Sequence, residues 1–86
     1  MHRTTPRFRI LLSSLPESVR EIARKKFQLL RQNPSHPSLH FKKIGAVWSV
    51  RAGIHYRALA VEDGGDFVWI WIGSHDEYER MIDQQS

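Results

Sequence analysis

Residues Asp66 to Arg80 read DFVWIWIGSHDEYER. Phe67 to Ile72 is an unbroken apolar run rich in β-branched and aromatic side chains, too short to span a membrane and bounded by Gly65 and Gly73. That pattern predicts a central strand buried on both faces. Past Gly73 every side chain through Arg80 is polar, and several can carry protons or bind phosphate. An apolar rod therefore supports a polar cluster.

Working outward, three segments upstream alternate in the manner of strands: Leu39 to Ile44, Val47 to Ala52 and His55 to Glu62. The separators Gly45-Ala46, Gly53-Ile54 and Asp63-Gly64-Gly65 are short, so the four strands are expected to form an antiparallel meander. Leu39 and Phe41 share one face with Trp48 and Val50, while His40, Lys42, Ser49 and Arg51 share the other. A three-residue loop at Gly53-Ile54-His55 pairs Arg51 with Arg57 and keeps Tyr56 and Ala58 in the core; a two-residue loop would split the arginines. Trp69 and Trp71, two residues apart, are expected on one face. Gly64-Gly65 lacks the strand-to-helix context of a phosphate loop and reads as a hairpin turn.

Toward the N-terminus, Thr5-Pro6 resembles an N-cap and first helical position, followed by Phe8, Leu11, Leu12 and Leu15 at helical spacing. Ser14-Leu15-Pro16-Glu17 has the spacing of a capping box opening a second helix to about Gln32, with Val19, Ile22, Ala23, Phe27 and Leu30 as its core face. Asn33-Pro34 ends it. A last short helix, Asp76 to Gln84, would use Met81 and Ile82 as apolar contacts. The expected fold is α+β: a helical hairpin on a four-stranded antiparallel sheet, with a short C-terminal helix, in one domain covering residues 1–86.

The 86 residues can bury only about two thirds of their unfolded surface. Absence of cysteine excludes a disulfide framework and thiolate metal sites, and suits a cytoplasmic protein. No apolar run nears the roughly 20 residues of a spanning helix, and no signal-peptide core is present, so a soluble, unprocessed chain without a membrane partner is expected. Lys and Arg number 13 against 9 Asp and Glu, a net charge of +4, which favours polyanionic partners. The bias is uneven: Met1 to Lys43 holds most of the basic residues but only Glu17 and Glu21 as acids.

Arg51 and Arg57, if paired, would repel unless an anion joins them, and arginine binds phosphate oxygens bidentately. The spacing alone fits equally well two solvated arginines paired with Glu62 or Glu77. His75 emerges at the end of the central strand, where imidazole can act as acid or base, and Tyr78 follows on the same helical face. Read alone, His75 also fits a capping or surface residue. His40, Lys42 and Lys43 extend the basic face and can track a nucleic-acid backbone, although edge-strand lysines also serve to block edge-to-edge association. The histidines show no H-x-x-x-H or H-E-x-x-H spacing, so no metal is expected.

The runs NPSHPSLHFKKI, VWSVRAG-x-HYRALAV and WIWIGSHDEYER, behind the helical segment SLPESVREIARKKFQLLRQNP, resemble the RelE/ParE superfamily of toxins from bacterial type II toxin-antitoxin systems, most closely its RelE-like and HigB-like members. The resemblance covers nearly the whole chain. It implies a ribosome-dependent endoribonuclease that cuts mRNA by attack of a ribose 2′-OH on the adjacent phosphate, with neither metal nor cofactor. It also implies a cognate antitoxin as partner. Arg57 matches the arginine that binds the scissile phosphate, Arg51 a basic position, often lysine, that acts as base or charge stabiliser, His75 the general acid and Tyr78, less closely, a C-terminal aromatic position. Lys42 and Lys43 would contact RNA. The sheet face lacks a carboxylate base. The alternative within the superfamily is a ParE-like toxin without nuclease chemistry that poisons DNA gyrase.

Overall fold

The computed structural model describes residues 1–85, except for the side chains at positions 82, 84 and 85. In order the chain forms β1 (His2–Thr4), α1 (Pro6–Ser13), α2 (Glu17–Gln32), a 3-10 turn (Pro37–Leu39), β2 (Lys42–Ile44), β3 (Val47–Arg51), β4 (Tyr56–Asp63), β5 (Asp66–Ser74) and α3 (His75–Gln85). The strands lie in the order β1-β5-β4-β3-β2. The apolar run is thus an inner strand, as its composition demands.

The sheet has five strands and is mixed, not four and antiparallel. β1 pairs parallel with β5, His2 opposite Phe67 and Thr4 opposite Trp69. No apolar pattern announces this strand; distant partners hold it. Phe67 N–H donates to Met1 O (2.9 Å), Arg3 pairs with Asp63 (2.9 Å) and Asp66 (3.4 Å), and Trp69 Nε1–H donates to His2 Nδ1 (3.0 Å). The His2 ring also stacks on Phe67 at 5.4 Å.

Burial, then the positive N-terminus and Arg31, lowers the His2 pKa from its ordinary 6.5. Folding therefore favours the neutral ring, and this contribution is complete above 6.5 and lost as pH falls through the lowered value. Denaturation midpoints should fall on acidification from pH ~7.5 to ~5.5, and His2→Phe, which keeps the stack, should remove part of that fall.

Helix boundaries differ from expectation at one cap. Thr5 Oγ1 accepts from Phe8 N–H (3.1 Å) and caps α1 as its sequence suggests. Ser14, however, closes α1: its Oγ donates back to Ile10 O (2.9 Å), and α2 starts after Pro16 without a side-chain cap. No capping box forms there, and Leu15 lies between the helices. On α2, Ala23 and Leu30 are buried as expected, but Ile22 is 42% exposed. β2 begins three residues later than predicted because Pro37-Ser38-Leu39 coils into the 3-10 turn, where His36 Nδ1 accepts from Ser38 N–H (3.2 Å).

A β-bulge decides the two cores. Leu59 pairs with Trp71 and Ala60 with Trp69, leaving Ile70 as an extra residue in β5. The tryptophans, expected on one face, therefore point to opposite faces. Trp69 (1% exposed) packs with Phe8, Ala23, Leu30, Leu39, Val50 and Ile72 beneath the helices. Trp71 joins Val47, Leu59 and Tyr78 on the other face, where Met81 also packs. That face, expected to be polar and basic, is apolar at this patch, and α3 covers it. The predicted contact of Ile82 lies outside the described residues.

Candidate active site

The loop Gly53-Ile54-His55 is the three-residue kind: Ala52 N–H donates to Tyr56 O (3.1 Å), and Arg51 stands directly opposite Arg57. Arg57 is in turn opposite Gly73 on β5. A Cβ at Gly73 would lie 2.8 Å from Trp71 Cη2, so glycine lets the indole fold across the strand beside Arg57.

After Gly73, Ser74 caps α3. Its Oγ accepts from Glu77 N–H (3.2 Å) and donates to Glu77 Oε1 (3.1 Å). Ser74 to Glu77 has the same S-x-x-E spacing as Ser14 to Glu17, and here the serine does cap the helix that follows. Ser74, not His75, is therefore the cap. The first turn of α3 is also tied to the β3–β4 loop, since His75 N–H donates to His55 O (2.7 Å).

α3 then lays His75, Tyr78 and Glu79 beside the arginines. Tyr78 is 5% exposed; its ring stacks on His75 (5.9 Å between centroids) and lies under Arg57, whose Cζ is 5.7 Å from the ring centre. His75 Nε2 is 3.0 Å from Glu79 Oε1. Glu79 is the carboxylate that sequence reading missed on this face. It arrives from the helix rather than the sheet, and its i,i+4 spacing from His75 was the available signal.

These side chains line a cavity of about 270 Å³ together with His40, Lys42, Ile44 and Ser49. Of the predicted site residues, His40, Lys42, Arg57, His75 and Tyr78 thus meet in one place, with Arg51 paired to Arg57. Lys43 does not join them. It pairs with Trp48 in the β2–β3 register, on the helix-side face, and its Nζ is 4.0 Å from Glu62.

The electrostatics are those of crowded cations. Arg51 Nε, Arg57 Nη1 and His75 Nδ1 are buried and have no hydrogen-bond partner. Unmatched buried polar nitrogens are uncommon and costly in a folded protein. Burial and then Arg51 lower the Arg57 pKa from its ordinary value, against the opposing pull of Tyr78 and Glu79. Arg51 first, then slight burial, Arg57 and Lys42, lowers His40 from 6.5. Arg51→Gln should let His40 titrate closer to 6.5, which an NMR titration of its ring protons would read; an unmoved midpoint would show that Arg51 does not govern it. Among the described residues no group of three or more His, Asp or Glu is placed to hold a metal.

Residues 17–80 match the family model described as ParE-like toxin domain, which spans most of the chain. The chain belongs to this family, within the RelE/ParE superfamily of toxins. Solved structures agree with that ParE-like assignment at the level of fold. The RelB-RelE antitoxin-toxin complex from Methanococcus jannaschii matches with a TM-score of 0.71 at 14% identity, covering 92% of this chain and 96% of that one. YafQ from E. coli strain BL21(DE3) matches with 0.67 at 8% identity, covering 91% and 96%. The isolated E. coli RelE toxin matches with 0.63 at 14% identity, covering 100% and 98%. No curated protein matches the chain by sequence. Among the described residues of this ParE-like domain, no helix is long and apolar enough to cross a membrane.

Proposed function

We propose that this ParE-like domain is the toxin of a type II toxin-antitoxin pair and acts in the cytoplasm as a ribosome-dependent mRNA endoribonuclease. The observation that carries this reading is the in-register Arg51–Arg57 pair, each with a buried nitrogen that no protein group meets, whose Arg57 lines a cavity with His75 and Tyr78. A phosphodiester satisfies the guanidinium donors and screens their repulsion. Arg57 and Arg51 bind the scissile phosphate and stabilise the charge that grows on its oxygens during attack by the ribose 2′-OH. His75 protonates the departing oxygen, and Tyr78 holds the His75 ring and the Arg57 guanidinium by stacking. Lys42, at the cavity wall, contacts the RNA backbone. An antitoxin, the partner of the RelE toxin in the Methanococcus jannaschii complex, would hold the toxin inactive.

A second reading, a toxin that poisons DNA gyrase without nuclease chemistry, is favoured by the family description alone. Induced expression followed by mapping of message 5′ ends separates the two. In-frame cuts within translated regions are the expected result. Growth arrest without cuts, accompanied by gyrase-dependent DNA breaks, would overturn the nuclease reading.

A further inference from the structure

The proposed nuclease chemistry needs a proton acceptor as well as a donor, and the two must stand on opposite sides of the phosphorus, because attacking and leaving oxygens are in line. His75 lies beyond β5 at one end of the cavity. Glu79, 3.0 Å from His75, is on the same side and orients that ring instead of facing it across a substrate. Tyr78 is buried beneath Arg57. His40 and Lys42 line it from the β2 side, with β3 and β4 between β2 and β5 in the sheet order.

Lys42 pairs with Ser49, and His40, two residues before it, lies close enough to Arg51, the last residue of β3, for that charge to be the main influence on its ring. The row His40, Arg51, Arg57, Gly73 then crosses three strand intervals, roughly 14 Å of backbone. His40 and, two residues beyond Gly73, His75 both line the cavity, whose volume of about 270 Å³ leaves room for a phosphate group beside Arg57. His40 is also the one non-glycine residue with positive φ among the described residues, at 47°. Such a conformation is uncommon, and surrounding structure must impose it. Here the 3-10 turn does so, with His40 N–H donating to Pro37 O (3.3 Å).

We propose that His40 is the general base of the reaction, facing His75 across the arginine pair. This rests on the nuclease reading and extends His40 beyond an RNA contact. The His40 ring takes the 2′-OH proton as the 2′-oxygen bonds to phosphorus. The bond from phosphorus to the 5′-oxygen breaks, and His75 gives that oxygen a proton. The products are a 2′,3′-cyclic phosphate and a 5′-hydroxyl, and the two histidines end with exchanged proton states. The charged groups that face His40 are Lys42 on β2, Arg51 on β3 and Arg57 on β4, with His75 and Glu79 across the cavity on α3. Arg51 above all, then slight burial, Arg57 and Lys42, lowers its pKa from 6.5, which favours the neutral, proton-accepting imidazole.

The test is single-turnover cleavage of mRNA on programmed ribosomes across pH, with wild type, His40→Asn and His75→Gln. Asparagine tolerates the left-handed backbone, so the turn is preserved. One message carries an ordinary 5′-oxygen at the cut; a second carries a 5′-bridging sulfur, which leaves without protonation. His40→Asn should slow both messages about 10²- to 10⁴-fold and abolish the acidic limb of the pH profile, whereas sulfur should rescue His75→Gln only. Wild-type rate in His40→Asn, a slowed rate that keeps the acidic limb, or rescue of His40→Asn by sulfur would each overturn the assignment while leaving the nuclease reading standing. Absence of any cleavage by wild type would refute both.

Discussion

Arg57→Ala should lower mRNA cleavage by about 10²- to 10³-fold, the usual loss when a charge-stabilising donor is removed. Growth arrest on induction should disappear with it. The same variant should unfold within about 1 kcal/mol of wild type, because two opposing effects are small and similar. Removing Arg57 relieves its like-charge pairing with Arg51 and the burial of Nη1 without a partner, but forfeits the stacking on Tyr78. Cleavage assayed beside chemical denaturation reads both quantities on one protein. Full toxicity in a folded Arg57→Ala variant would remove the arginine from the mechanism, and a collapsed fold would make it a structural residue.

Trp69→Ala should be the most destabilising single change outside the site. Trp69 is almost completely buried, its ring meets Phe27 at 5.0 Å and Phe8 and Phe41 at 6.5 Å, and its indole N–H anchors β1 through His2. Truncating a buried tryptophan costs about 3–5 kcal/mol. A small domain holds roughly 0.05–0.15 kcal/mol per residue in total, so this loss removes much of what holds the chain folded. Urea unfolding should show the midpoint collapse in Trp69→Ala and a smaller loss in Trp69→Phe, which keeps an aromatic ring among its neighbours. Equal losses would mean that the indole N–H bond to His2, rather than ring packing, supplies the stabilisation.

Much of the architecture was legible because local chemistry and tertiary packing agree. The Phe67–Ile72 run could only be an inner strand; Thr5-Pro6 and Asn33-Pro34 bound helices for reasons confined to a few residues; the demand that Trp48, Val50, Tyr56 and Ala58 stay together selected the three-residue loop and hence the Arg51–Arg57 pairing. That pairing is the one the strands adopt, and with His75 after the central strand it marks the basic end of the candidate site.

Where sequence reading failed, the deciding contacts were distant. β1 is three residues whose pairing partner lies some sixty positions later, so no local pattern could reveal it. The bulge at Ile70 sends Trp71 away from Trp69, and a period-two reading of the strand has no means to detect an inserted residue. Ser14 matched a capping motif yet served the preceding helix, while Ser74, at the same spacing from a glutamate, caps the helix that follows it. By itself, then, the sequence determined the elements, the inner strand and the arginine register, because hydrophobic periodicity and turn chemistry act within a few residues. Only the tertiary structure decided that α3 carries Glu79 and a buried Tyr78 onto the second face, and that His40 stands across the cavity from His75, because those placements follow from a bulge, a left-handed residue and the packing of one helix against a sheet face.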